Sequence, residues 1–90
     1  MSKNELELLI KSILVDLRNV ELMRGESYLH AIIRSYENTL RDLLKDCLTE
    51  NLIKSSPREY LEIYSDYENP LVEQMDFAQK QLQKYINYHI

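Results

Sequence analysis

The densest chemistry in this 90-residue sequence lies between Arg58 and Glu68, where Tyr60, Tyr64 and Tyr67 recur at i, i+4 and i+7 among Glu59, Glu62, Asp66 and Glu68. Tyrosine combines a large apolar ring with one polar tip, which suits partly wet protein interfaces. Carboxylates around such rings bias encounter toward a basic partner and speed it. The pattern singles out Tyr60, Glu62, Tyr64, Asp66, Tyr67 and Glu68 as candidate partner contacts. The alternative is structural: the rings pack half-buried over a helical core, and the acids are its solvated face.

The other reactive residue types are sparse. Cys47 is the sole cysteine, so no disulfide forms within the chain. It falls on an apolar seam, where a free thiol behaves as a small, inert, buried hydrophobe. His30 and His89 stand apart, and no H-x-x-E-H, E-x-x-H or C-x-x-C pattern gathers metal ligands. Asp42, Asp46 and Glu50 share a helix face, but with Arg41 and Lys45 alongside they read as ordinary surface charge. A single glycine leaves no loop to cradle phosphates. The expectation is a protein that is not an enzyme and binds neither cofactor nor metal.

Charge narrows the partners. The net charge is −4, and the basic residues are spread from Lys3 to Lys84 without a stripe that could displace counterions from a nucleic acid or meet an anionic membrane. Residues 40–53 and 57–67 have a helix-turn-helix layout, but the second segment sets Arg58 against Glu59, Glu62 and Asp66, and a phosphate backbone would repel it. The longest aliphatic runs, Leu8-Leu9-Ile10 and Ile13-Leu14-Val15, are far too short to span a bilayer, and the N-terminus shows no apolar signal core. These features predict a cytoplasmic protein whose partner is another protein.

The elements that must position these residues are helices. Leu6, Ile10, Ile13, Leu17 and Val20 fall on one stripe, Leu29, Ile33, Tyr36, Leu40, Leu43 and Cys47 on a second, and Leu71, Met75, Ala78, Leu82 and Tyr85 on a third. Ser2 and Glu5 form a capping box, Gly25 suits a left-handed helix end, and Ser27 is placed to cap the second helix. Ser56-Pro57-Arg58-Glu59 reads as another box with proline in the first turn, and Asn69-Pro70 marks a turn or kink. The spacing predicts helices near 3–23, 28–53, 57–67 and 70–88, whether or not the last two are one kinked helix. The fold class is all-α: a small antiparallel bundle of three long helices plus a short one, 57–67, before the last. Short connections join the helices, and residues 1–90 form a single domain.

The first helix carries more apolar surface than one seam requires. Leu8, Val15 and Leu22 recur every seven residues on its far side, with Leu9, Leu14 and Met23 beside them. Either another helix of the bundle covers this stripe, or a second copy or a partner does, because monomers seldom leave large apolar patches in water.

Two layouts are similar in part. Pro57-Arg58-Glu59 resembles a helix start of the small helical chorismate mutases, but those enzymes need inward basic residues that these seams lack. The run from Tyr60 to Glu68, then Asn69-Pro70 and a longer helix, is similar in plan to the small acidic immunity proteins that neutralise bacterial nuclease toxins. No site residue is carried over from either. The leading expectation is a small intracellular protein-binding module (a regulator, adaptor or inhibitor), able to act as a homodimer. The second is an acidic immunity-type protein that neutralises a basic toxin, and a small helical enzyme comes a distant third.

Overall fold

Ser2 and Glu5 cap one helical turn between them: the Glu5 N–H donates to the Ser2 hydroxyl, and the Ser2 N–H donates to the Glu5 carboxylate, each at 3.2 Å. That box opens α1 (Lys3–Arg24) in a computed structural model whose described residues are 1–89. Gly25 ends the helix at φ 64° and ψ 30°, a conformation that costs glycine no Cβ clash, and the Glu26 N–H closes the turn on Glu21 O at 3.3 Å. Three further helices follow: α2 (His30–Leu44), α3 (Ser56–Tyr64) and α4 (Pro70–His89). Among the described residues the fold is all-α, three longer helices with a short one before the last.

α1 lies between α2 and α4, and α3 packs on α4 and on α2. Lys3 Nζ reaches Asp46 at 2.8 Å and Arg18 reaches Glu37 at 2.7 Å, which sets α1 and α2 antiparallel. The core is one cluster. α1 supplies Leu6, Ile10, Ile13 and Leu17, and α4 faces them with Leu71, Met75, Ala78, Leu82 and Ile86. Ile32, Ile33, Tyr36 and Leu43 of α2 and Tyr60 of α3 close it. Each large apolar side chain so buried contributes about 1.5–3 kcal/mol relative to exposure. The Cα radius of gyration, 12.7 Å, is close to the ~12 Å expected for a folded chain of this length.

Several boundaries differ from the sequence reading. The second helix does not run to residue 53. It stops at Leu44 because Asp46 adopts a positive φ of 54°, with Cys47 N–H donating to Asp42 O at 2.9 Å and Asp46 N–H to Leu43 O at 3.2 Å. This is a Schellman turn built on an aspartate. Cys47 therefore lies beyond the seam and is exposed, not a buried core residue. The connection to α3, residues 45–55, is long. It is tied down by fully buried Ile53 and by Asn51, whose side-chain N–H donates to Gln79 O at 3.0 Å while its oxygen accepts from Ile53 N–H at 3.2 Å.

Two of the expected caps do not form. Ser27 offers α2 only its carbonyl, which accepts from His30 N–H at 3.2 Å, and no side chain caps that helix. Ser56 sits inside α3 and makes no box with Glu59; its hydroxyl is buried and shares a 2.7 Å hydrogen bond with the Tyr36 phenol. Residues 57–88 are two helices rather than one bent one. Ser65, at φ 49°, ends α3 by donating its N–H to Leu61 O, and Asn69 Oδ1 accepts from Leu71 N–H to start α4.

Candidate protein-interaction surface

The six residues of the tyrosine-acid segment separate into two groups. Tyr60 is fully buried and cannot touch a partner, which corrects its assignment as a contact. The row splits because α3 ends at Tyr64, where Ser65 turns left-handed, so Tyr60 stays on the core side of the helix while Tyr67 falls in the following turn. Its hydroxyl lies 3.4 Å from Asp66 Oδ2, and Asp66 also accepts from Asn69 Nδ2 at 2.8 Å. Burial, with the Asp66 charge second, pushes the Tyr60 phenol above its ordinary value. Asp66 thus holds the α3–α4 turn rather than standing free.

Tyr64 is half-buried and fastens α3 to the end of α1. Arg24 sits over its ring at 4.0 Å, its hydroxyl donates to Glu26 Oε2 at 3.3 Å, and it meets Tyr60 edge-on at 5.7 Å. Partial burial and then the Glu26 carboxylate raise its phenol. Glu62, Tyr67 and Glu68 remain exposed, Tyr67 at 72%. Glu62 lies on α3 with exposed Glu59, and Tyr67 and Glu68 lie in the turn that follows it.

The second stripe of α1 is not covered by the bundle. Leu8, Val15 and Leu22 are 66%, 54% and 81% exposed, and Met23 beside them is exposed too. At about 100° per residue the stripe lies almost opposite the seam of Leu6, Ile10, Ile13 and Leu17, so no helix packed on that seam can reach it. Leu14, at the α2 edge, is buried, and Leu9 packs partly against the core.

Between α1 and α2 the stripe opens into a trough of about 630 Å³. Leu14, Val15, Leu40 and Leu44 form its apolar lining, and Leu44 is 48% exposed. Lys11, Arg18, Arg41 and Glu37 stand around it. Lys11 is bridged to Glu7 and Arg18 to Glu37, each at 2.7 Å, and Arg41 leans on Asp42 at 3.3 Å. Leu44 lies off the seams that periodicity picks out. Its signal is the i, i+4 pair Leu40–Leu44 flanked by Glu37 and Arg41, which becomes visible only once α2 is known to end at residue 44.

No protein-family model matches the chain, and no significant match to it was found among curated proteins or solved structures. The reading of this surface therefore rests on its geometry. Among the described residues, no helix is long and apolar enough to cross a membrane.

Proposed function

We propose that the protein is a protein-binding module, a regulator, adaptor or inhibitor without catalysis of its own, and that it docks its partner on the α1–α2 face. The observation that carries this reading is the row of exposed Leu8, Val15 and Leu22 continuing into the trough beside Leu40 and Leu44. A contiguous exposed apolar row rimmed by charge is a recurrent feature of contact sites on small proteins. The occupant can be another protein or a second copy of the chain.

The test is an affinity capture from the native cell with wild type and with Val15→Glu/Leu44→Glu, alongside sedimentation of the purified chains. The reading expects a partner, or a self-associated species, that the double variant loses while its thermal melt is unchanged. Retention of every contact by that variant would sink it.

The acidic residues of α3 and the turn after it support a second reading. Glu59, Glu62 and Glu68 are exposed, as is Tyr67, and Arg58 is the one basic residue of α3. This suits neutralisation of a basic protein, as in an immunity-type role. A partner lost on Glu62→Lys/Glu68→Lys but kept by Val15→Glu/Leu44→Glu would favour it over the first.

A further inference from the structure

Resting on the reading that this face is a docking surface, we propose that its occupant is a second copy of the chain, with the two α1 helices side by side, parallel and in register. Leu8, Ser12, Val15, Asn19 and Leu22 are all exposed and repeat at 4-3-4-3 spacing, the a/d pattern of a coiled-coil seam. At about 100° per residue they fall within roughly 80° of arc, opposite the side that α1 buries. α2 and α4 take the two flanks of α1, so its outer side stands open to a third helix.

The polar members of the seam choose the occupant. An apolar partner surface would bury the Ser12 hydroxyl and the Asn19 amide unsatisfied. A second copy in parallel register sets Asn19 against Asn19 and Ser12 against Ser12, and each of these groups both donates and accepts. Any other partner must place matching polar groups at the same two levels, whereas a copy does so by symmetry. A lone asparagine at an a position is also the device by which parallel two-stranded coiled coils fix their register. In an antiparallel pair the a positions share layers with the d positions of the other helix, so the Asn19 amide would meet Leu8 or Val15.

The flanks of the seam favour the same direction. Lys11 precedes an a position and Asp16 follows a d position, which places Lys11 of one helix beside Asp16 of the other when the two run parallel. Lys11 already bridges Glu7, so the group that gains is Asp16. It is half-buried on the α4 side of α1 and has no ion-pair partner among the described residues. A two-fold axis supplies that counterion to both copies. An antiparallel pair would set Lys11 near Arg18 instead, like charge against like.

Sedimentation of the whole chain, up to millimolar concentration, should show a monomer–dimer equilibrium that Val15→Glu abolishes while far-ultraviolet circular dichroism keeps its helical signal. Lys11→Glu and Asp16→Lys should each weaken the dimer about tenfold, since two symmetry-related pairs turn repulsive, and the double exchange should restore it. Direction is read by oxidation in a Cys47→Ser background. Leu8→Cys and Leu22→Cys should each form a disulfide with its own copy, because equivalent d positions of parallel helices come within disulfide reach. A dimer that Val15→Glu dissociates, but that cross-links only between Leu8→Cys and Leu22→Cys chains, is antiparallel and refutes the proposal. A wild-type chain that stays monomeric, while Val15→Glu/Leu44→Glu loses a captured partner, overturns the second copy and leaves the docking face standing. A dimer indifferent to Val15→Glu overturns the proposal, and a chain whose every contact survives Val15→Glu/Leu44→Glu overturns the docking face with it.

Discussion

Removing the Tyr36 hydroxyl tests how α3 is held on the bundle. The Tyr36 and Ser56 oxygens lie 2.7 Å apart, with both residues buried and the phenol pushed far above its ordinary value by that burial. Tyr36→Phe keeps the ring, leaves almost no cavity and strands the Ser56 hydroxyl; Ser56→Ala strands the phenol. Leaving one partner of a buried pair unsatisfied costs about 1–3 kcal/mol, whereas an intact bond contributes only about 0.5–1.5 kcal/mol net. Each single variant should therefore lower Tm by roughly 5–20 °C, at about 4–8 °C per kcal/mol for a domain of this size. The double variant removes both groups and should fall no further than the milder single. Urea melts followed by far-ultraviolet circular dichroism give the coupling energy, provided the m-value is constant across the set. Additive single effects would refute the assignment of this bond as the anchor between α2 and α3.

Three further outcomes follow from the geometry. Gly25→Ala should cost about 1–2 kcal/mol from the left-handed backbone alone, because nothing lies within 4 Å of an added Cβ, and Gly25→Asn should cost less; chemical denaturation measures both. Tyr60→Ala should remove about 3–5 kcal/mol of stability while Tyr67→Ala stays within roughly 0.5 kcal/mol, so thermal melts separate the buried ring from the exposed one. The Ser2 N–H and hydroxyl hold the Glu5 carboxyl below its ordinary value, so its contribution is complete above about pH 4.3 and is lost as pH falls through the lower folded value. Amide exchange in the first turn of α1 should accordingly rise in acid, and Ser2→Ala should flatten that dependence.

The parts of the fold visible in the sequence are those whose cause is local. The reciprocal box at Ser2 and Glu5, the left-handed Gly25 and the seams of α1 and α4 each follow from a few neighbouring residues, and each appears in the structure. The end of α2 was hidden because its stop is an aspartate in a conformation that glycine usually supplies, and because Cys47 extends the apolar spacing by one false step. Ser56 looked like a cap, yet its hydroxyl is claimed by Tyr36 twenty residues away, a long-range contact that no local rule contains. The tyrosine row failed as a unit because helical spacing holds only as far as the helix runs: α3 stops at Tyr64, where Ser65 turns left-handed, so Tyr60 packs inward while Tyr67 lies in the next turn and stays in water.

The stripe on α1 is informative because stability does not account for it. The seam of α1 is filled by full burial of Leu6, Ile10, Ile13 and Leu17, and both flanks of the helix are taken by α2 and α4. Leu8, Val15 and Leu22, all more than half exposed, therefore gain little from folding, while as exposed apolar groups they favour aggregation. The acidic segment is explained more cheaply, since Asp66 builds a turn and Tyr60 fills the core. Of the two surfaces that the sequence singles out, one is thus partly spent on the fold and the other is not. The unspent one also meets an apolar trough beside Leu40 and Leu44, where a partner would supply the burial that the chain leaves unmade.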